Sequence, residues 1–514
     1  MKKIIFFASL TAFFASQEVF AQYHTDALRY SYSHFGGSAR FQATGGAGTS
    51  LGGDISSAYY NPAGLGFNRK SEFSISPSLA IIGTDGLLNG TTTTDNKINF
   101  NVNQFGVAFS FPKDGESNDW KGGTFAITFT RINNFHNNTI YSGRNNRNSI
   151  IDSWMESANK NYTIQQFESQ IRSGEIFSNE VMAYDTYLLN YVQPPAANGF
   201  FDSDVFPGTM IQREKITEIG AQNQWNIAYG ANYKDFLYIG GGIGIQTLNY
   251  ERQRAYTETQ LDVNKLPNGA TPPQILNNLT LRDNVKQSGT GFNLNVGIIV
   301  RPVDSWRIGA SFVSPTWFNI SETYFADLAV SYNNYNIDGK VLGNVTSRTL
   351  DFVSDISLRT PMRLNVGTSV IIGKKGFLSV DAEYLNYSTS SLSAEFNLDG
   401  DNSRIKNLYQ SAINLRGGGE FRLDKFRLRV GGALYGNPLK NDDNITKSRL
   451  FITGGVGYYN KKNYFDLTVV QQMNTVAYQL YNYSSGLAAQ IGAPPVAALE
   501  TSRTNLVFTA GFFF

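Results

Sequence analysis

At the carboxyl end of the chain Leu506, Phe508, Ala510, Phe512 and Phe514 occupy alternate positions, with Asn505, Val507, Thr509, Gly511 and Phe513 between them. Strict period-two alternation predicts a strand, and its final aromatic residue suits the last strand of an outer-membrane barrel. The same alternation runs through Phe292, Leu294, Val296, Ile298 and Val300, breaks at 301–305, and resumes at Trp306, Ile308, Ala310 and Phe312. That is two strands around one tight turn. Comparable pairs meet at 234–235, 373–376, 424–425 and 460–463, with a wider connection at 112–122. Between these six turns lie seven longer polar stretches, at 83–96, 133–221, 251–287, 321–349, 388–410, 437–449 and 475–502. Strict alternation of short turns with long loops is the connectivity of a transmembrane barrel, whose turns lie in the periplasm and whose loops lie outside the cell. The pattern predicts an all-β, antiparallel transmembrane barrel of about fourteen strands. Both chain ends are then expected on the periplasmic side.

Composition agrees with a chain that lives in lipid. Of 514 residues only 16% are charged while 14% are aromatic, against about a quarter charged in an ordinary soluble domain. After the leader, no stretch approaches the 18 apolar residues a spanning helix needs, so strands must do the crossing. Lys and Arg total 43 against 41 Asp and Glu, with no basic block, which excludes a nucleic-acid partner. With no Cys and only His24, His34 and His136, thiol chemistry, Cys-ligated zinc and a His-based metal centre have nothing to build on. No catalytic residue, metal or cofactor is nominated, and the chain reads as a non-enzyme.

Lys2 and Lys3, an apolar run over 4–15, and Val19 and Ala21 at the positions a signal peptidase reads make residues 1–21 a secretory leader. Residues 22–72 do not follow the hairpin rule. Their stretch from Ser38 to Phe67 is dense in small and turn-forming residues, and a compact irregular segment beside a wide barrel fits inside it as a plug. Gly46, Gly48 and Gly52 miss the spacing of a phosphate-binding loop. Residues 73–514 are then the barrel, with 133–221 its longest loop.

If the apolar positions face lipid, Arg307, Arg363, Asp381, Glu383, Arg416, Glu420, Arg422, Arg427, Arg429 and Asp466 face the lumen. A charge facing mid-bilayer costs about 2 to 4 kcal/mol, so the placement is forced. Their expected role is mutual pairing. Pro361, inside the eighth strand, cannot donate to a ladder and predicts a bulge, a kink or a gap. In the longest loop Ile151, Trp154, Met155, Ala158 and Tyr162 recur at helical spacing. That stripe either packs against another loop or forms an extracellular groove that captures ligand.

Ala58-Tyr59-Tyr60-Asn61-Pro62-Ala63-Gly64-Leu65, preceded by Gly52, Gly53 and Asp54, resembles the hatch of the FadL/TodX family of outer-membrane transporters for long-chain fatty acids and other hydrophobic compounds. Thr360-Pro361 with Arg363 to Gly367, and Arg307 to Phe312, are similar to strands of that family. The resemblance implies a monomeric barrel among the lipids of a Gram-negative outer membrane. It also implies passive transport, with capture of a hydrophobic small molecule between extracellular loops and release past a mobile hatch, through a gap in the wall. Of the family's functional residues only Asn61, Pro62 and Ala63 carry over, as shapers of the plug. Other barrels of the family bind secreted proteins, and this alternative stays open.

Overall fold

The structure, a computed structural model, describes residues 23–514 except 33, 114–118, 196–197, 338 and 441–447. The leader expected at 1–21 lies outside the described residues, as does part of the connection at 112–122.

One closed antiparallel sheet forms the barrel, its first strand pairing with its last. Its fourteen strands are β1 (Glu72–Leu88), β2 (Thr91–Pro112), β3 (Trp120–Asn134, continued by Asn137–Asn145), β4 (Met210–Tyr233), β5 (Leu237–Gln260) and β6 (Leu276–Val303). They continue with β7 (Trp306–Val313 and Trp317–Ile337), β8 (Lys340–Arg348, Phe352–Arg359 and Arg363–Ile372) and β9 (Gly376–Asn386 and Ser391–Ala394). The last five are β10 (Ser411–Leu423), β11 (Phe426–Tyr435), β12 (Arg449–Tyr459), β13 (Asn463–Gln479) and β14 (Val496–Phe513). The strand count expected from the turns is the one observed.

Alternation sorts the side chains as lipid requires. Leu506, Phe508 and Phe512 of β14 are exposed outward, while Val507 and Thr509 are buried. Inside, Arg416 pairs with Glu383 at 3.1 Å, and Arg429 bridges Glu420 at 2.8 Å and Asp466 at 2.6 Å. These charges pair with one another as expected, whereas Arg307, Arg363 and Asp381 bond instead to Leu51 O, Tyr59 OH and Thr49 N of the segment inside the lumen. Removing one partner of such a pair leaves an uncompensated buried charge, at about 3 to 5 kcal/mol.

Three expectations need correction. The polar stretch at 83–96 is no loop, because β1 and β2 run on to a tight hairpin at Asn89 and Gly90, both with positive φ. The stretches at 251–287 and 321–349 are likewise largely strand. Once a strand leaves the bilayer both its faces can be polar, so the alternation fades while the ladder continues. Third, both ends are expected on the turn side, but the first described residues lie elsewhere than Phe514. Phe514 lies at the turn end, its amide donating to Ser71 O at 3.0 Å. Tyr23 begins α1 (Tyr23–Ser31) inside the barrel toward the long-loop end, where His24 meets Asp401 of α7 (Asp399–Leu408), a helix of the 388–410 loop. Hydrogen bonds from Tyr23 to Glu322 and from Tyr30 to Gln287 hold α1 there.

Pro361 does interrupt its strand. The break at 360–362 of β8 lies beside the break at 314–316 of β7, with Thr360 N donating to Thr316 O at 3.0 Å and Thr316 N to Thr360 Oγ1 at 2.9 Å. Pro315 and Pro361 cannot donate, and the threonines carry the link instead.

Candidate functional site

The segment after α1 enters the turn half of the lumen as two short helices, α2 (Ala39–Ala43) and α3 (Ser57–Tyr60), followed by a 3-10 turn over Pro62–Phe67. Its backbone groups bond in short local turns, and wall side chains take up carbonyls and amides that these turns leave over. Thr468 donates to Ala39 O at 2.7 Å, Thr453 to Ala43 O at 2.9 Å, Ser311 to Tyr60 O at 2.7 Å and Asn295 to Tyr59 O at 2.5 Å. Asp381 accepts from Thr49 N at 2.8 Å, and Arg307 donates to Leu51 O.

The motif residues sit at the tightest point. Asn61 caps the 3-10 turn, its Oδ1 accepting from Ala63 N at 3.1 Å. Its Nδ2 donates to Thr49 O at 2.6 Å and also reaches Ala310 O at 3.3 Å and Ile298 O at 3.4 Å. Pro62 takes the first position of the turn, where its missing N–H is not needed. Ala63 is fully buried against Tyr238 and Ile299. Opposite Asn61 and Pro62 the wall carries glycine: a Cβ on Gly240 would lie 2.3 Å from Pro62 C, and one on Gly297 1.8 Å from Asn61 Oδ1. The motif thus shapes the seat of the plug.

Above the plug the ladder between β2 and β3 ends and the two strands part. β2 and β3 pair from Pro112 opposite Gly122 up to Gln104 opposite Thr130, and no further. Beyond that point β2 stays with β1 while β3 follows β4. The upper part of β3 lies against the inner face of the β1–β2 hairpin, where Asn89 Nδ2 donates to Arg144 O at 2.9 Å and a Cβ on Gly86 would lie 2.3 Å from Ile140 O. Asn134 bridges the slit to Asn99 at 2.9 Å. On the outside Ile98 and Phe100 are 67% and 70% exposed, marking the slit as lipid-level.

Cations gather at this slit. Lys97 and Arg503 both pair opposite Ile82 on the inward phase, one on each side of it. Arg131 follows Phe129 on the outward phase of β3, just where its ladder with β2 has ended. Arg131, Lys97 and Arg503 all lie within electrostatic reach of His136. Among the described residues none of these three cations forms a salt bridge. Arg131 donates to Asn223 Oδ1 at 3.2 Å and Arg503 to Asn134 O at 2.8 Å, while the nearby Glu218 accepts from Tyr250 OH at 2.6 Å. Asn101 Oδ1, Gln104 Nε2 and Thr130 Oγ1 at the foot of the slit are buried without a partner. Sequence reasoning missed this site because its parts come from three strands far apart in the chain.

At the long-loop end, helices α4 (Ile150–Asn161), α5 (Ile164–Ser173) and α6 (Asn179–Asp185) form a cap. The predicted stripe is its core: Ile151, Trp154 and Ala158 are buried, with Met155 and Tyr162 packed against the same cluster. The stripe therefore packs inward and leaves no open groove of its own. The cap is anchored by Glu258, a buried carboxylate that accepts from Ile150 N at 3.0 Å and from Ser149 Oγ at the start of α4, where the helix dipole favours negative charge. Among the described residues no cluster of three His, Asp or Glu is arranged to hold a metal ion.

A plugged, capped fourteen-strand barrel is the architecture of a class of outer-membrane transport proteins. Residues 186–478 match the model of the family described as outer membrane protein transport protein (OMPP1/FadL/TodX). The chain belongs to this family. A FadL homologue of Pseudomonas aeruginosa has a similar fold, with TM-score 0.52 at 12% identity over 94% of this chain and 99% of that one. The toluene transporter TodX of Pseudomonas putida scores 0.49 at 12% identity, covering 94% and 99%, and the toluene transporter TbuX of Ralstonia pickettii 0.47 at 14%, covering 93% and 98%. No curated protein matches the chain.

Proposed function

We propose that this barrel passively imports hydrophobic molecules that carry an anionic head, of the class of long-chain fatty acids. The long-loop end faces outside the cell, the cap and upper lumen receive the ligand, and it leaves sideways through the slit above the plug. The observation that carries this reading is the group of Lys97, Arg131 and Arg503, which form no salt bridge among the described residues, around the point at lipid level where β2 and β3 part. An unpaired guanidinium on the lipid phase is costly and marks a path for charge. Two similar structures are toluene transporters, but toluene has no head for these cations to hold.

Burying about twelve methylenes gives roughly 10 kcal/mol at ~0.8 kcal/mol each, before the cost of association. A rigid site that tight would not release its ligand, so release requires movement of the cap and of the hatch at the foot of the slit. Uptake of radiolabelled oleate and toluene into cells tests the reading. Replacing Lys97 and Arg131 together with Gln lowers oleate uptake about tenfold, the loss of one to two charge-assisted hydrogen bonds, and leaves toluene entry unchanged. Equal oleate uptake by the variant overturns it. A secreted protein that co-purifies one-to-one with the barrel would instead support the protein-binding alternative.

A further inference from the structure

The outer surface of the barrel carries a second site, unrelated to the lumen. β7 breaks at 314–316, β8 at 360–362 and β9 at 387–390, and a hollow lies on the outer face beside them. This groove of about 870 Å³ crosses five neighbouring strands, from Asn249 of β5 through Ser288, Asn319 and Asp355 to Glu395 beyond β9. Leu248, Ile320 and Ile356, one position away along their strands, are buried in the lumenal core. The alternate hydroxyls, amides and carboxylates therefore point outward.

The lower end of this groove runs into a second hollow of about 520 Å³, lined by Ile245, Phe292 and Trp317 and sharing Thr290 and Asn319 with the first. Phe292 and Trp317 stack at 5.1 Å, and both remain exposed. Below them Leu294, Val296 and Ile298 continue the lipid-facing belt. One continuous surface thus runs from acyl-chain level, past an aromatic pair at the interface, into a hydrophilic hollow. Aromatic pairs at this height belong to the girdle of a membrane barrel, and a polar hollow directly above one matches an amphiphile standing upright in the leaflet.

The lining decides which amphiphile. It offers Asn, Ser and Thr side chains and the carboxylates of Asp355 and Glu395, and no Lys or Arg. Within the lining a phosphate head would meet those carboxylates with no cation among the lining residues to hold it, whereas sugar hydroxyls donate to carboxylates and exchange hydrogen bonds with amides and hydroxyls. We infer that this groove binds the uncharged saccharide head of a glycolipid in the surrounding leaflet, with its acyl chains lying along the belt below Phe292 and Trp317.

The full-length barrel is reconstituted in phosphatidylcholine nanodiscs doped with a neutral diglycosyl diacylglycerol or, separately, with phosphatidylglycerol. Lipid retained after release is counted by native mass spectrometry. The diglycosyl lipid stays bound in preference to phosphatidylglycerol. The double variant Asn319→Ala with Asp355→Ala, both exposed positions, loses about fivefold of that retention, the loss expected for one or two hydrogen bonds, while phosphatidylglycerol binding does not fall. Equal retention of both lipids, undiminished retention by the variant, or a dimer whose second copy covers the groove would each overturn the inference. The variant's heat-modifiable migration on gels shows that the barrel is intact.

Discussion

Ser56 of the plug donates its hydroxyl to Gln104 Oε1 at 3.0 Å, and Gln104 is the last residue of β2 that pairs with β3. The plug therefore touches the wall at the foot of the slit. The same hydroxyl oxygen accepts from Ser38 N at 2.9 Å, so one side chain ties both halves of the plug to the point where the strands part. Ser56→Ala removes both bonds and leaves buried polar groups unsatisfied, a loss of about 1 to 3 kcal/mol. Hydrogen exchange of the amides at 54–61 rises in the variant, while the barrel's own melting temperature stays unchanged.

Gly297 of the wall leaves room for Asn61 of the plug, since a Cβ at that position would lie 1.8 Å from Asn61 Oδ1. Gly297→Ala drives a methyl group into Asn61 Oδ1 and displaces the plug. Asn61→Ala alone loses about 2 to 3 kcal/mol through its bonds to Thr49, Ala310 and Ala63. Because truncating Asn61 also makes room for the new methyl, the double variant is more stable than the sum of the single changes predicts. Thermal or denaturant unfolding of the four proteins checks this, with a coupling of about 1 kcal/mol or more expected for residues in contact.

Trp154 is the largest side chain of the stripe in the cap core. Trp154→Ala opens a cavity worth about 3 to 5 kcal/mol. Limited proteolysis then cuts within residues 146–209 at enzyme concentrations that leave the parent intact, and the barrel strands stay resistant.

Glu180 on α6 is buried in the cap, and one of its carboxylate oxygens has no partner. Burial pushes its carboxyl above the ordinary value, against the smaller pull of the Ser157 and Ser178 hydroxyls. The closed cap therefore holds the proton more tightly than an opened one. This contribution to closure is complete below the ordinary carboxyl pKa and is lost as pH rises through the raised value. Exchange protection of the α6 amides is higher in mild acid than at neutral pH, and Glu180→Gln reduces that dependence on pH.

Much of this architecture is written in the chain's alternation. Leu506 to Phe514 faces lipid on the expected phase, and Arg416, Glu420, Arg429 and Asp466 pair inside as energy demands. Asn61, Pro62 and Ala63 were legible because a short motif fixes a local turn. The ends of β1 and β2 around Asn89 were not, since a strand beyond the bilayer has no apolar face to reveal it. Nor was the position of α1, which depends on Tyr23 and Tyr30 finding Glu322 and Gln287 about 300 and 260 residues away in sequence. The cationic slit was hidden for the same reason: Lys97, Arg131 and Arg503 become neighbours only when the barrel closes.

The central claim is that cargo leaves sideways between β2 and β3. Asn99 and Asn134 face one another across that slit at 2.9 Å, and the chain has no Cys of its own. The most direct measurement is oleate uptake by the Asn99→Cys, Asn134→Cys variant before and after reduction. With the disulfide formed, uptake falls to the level of cells lacking the barrel, and it returns when reductant opens the bond. Undiminished uptake through a barrel whose slit is covalently closed would contradict the account.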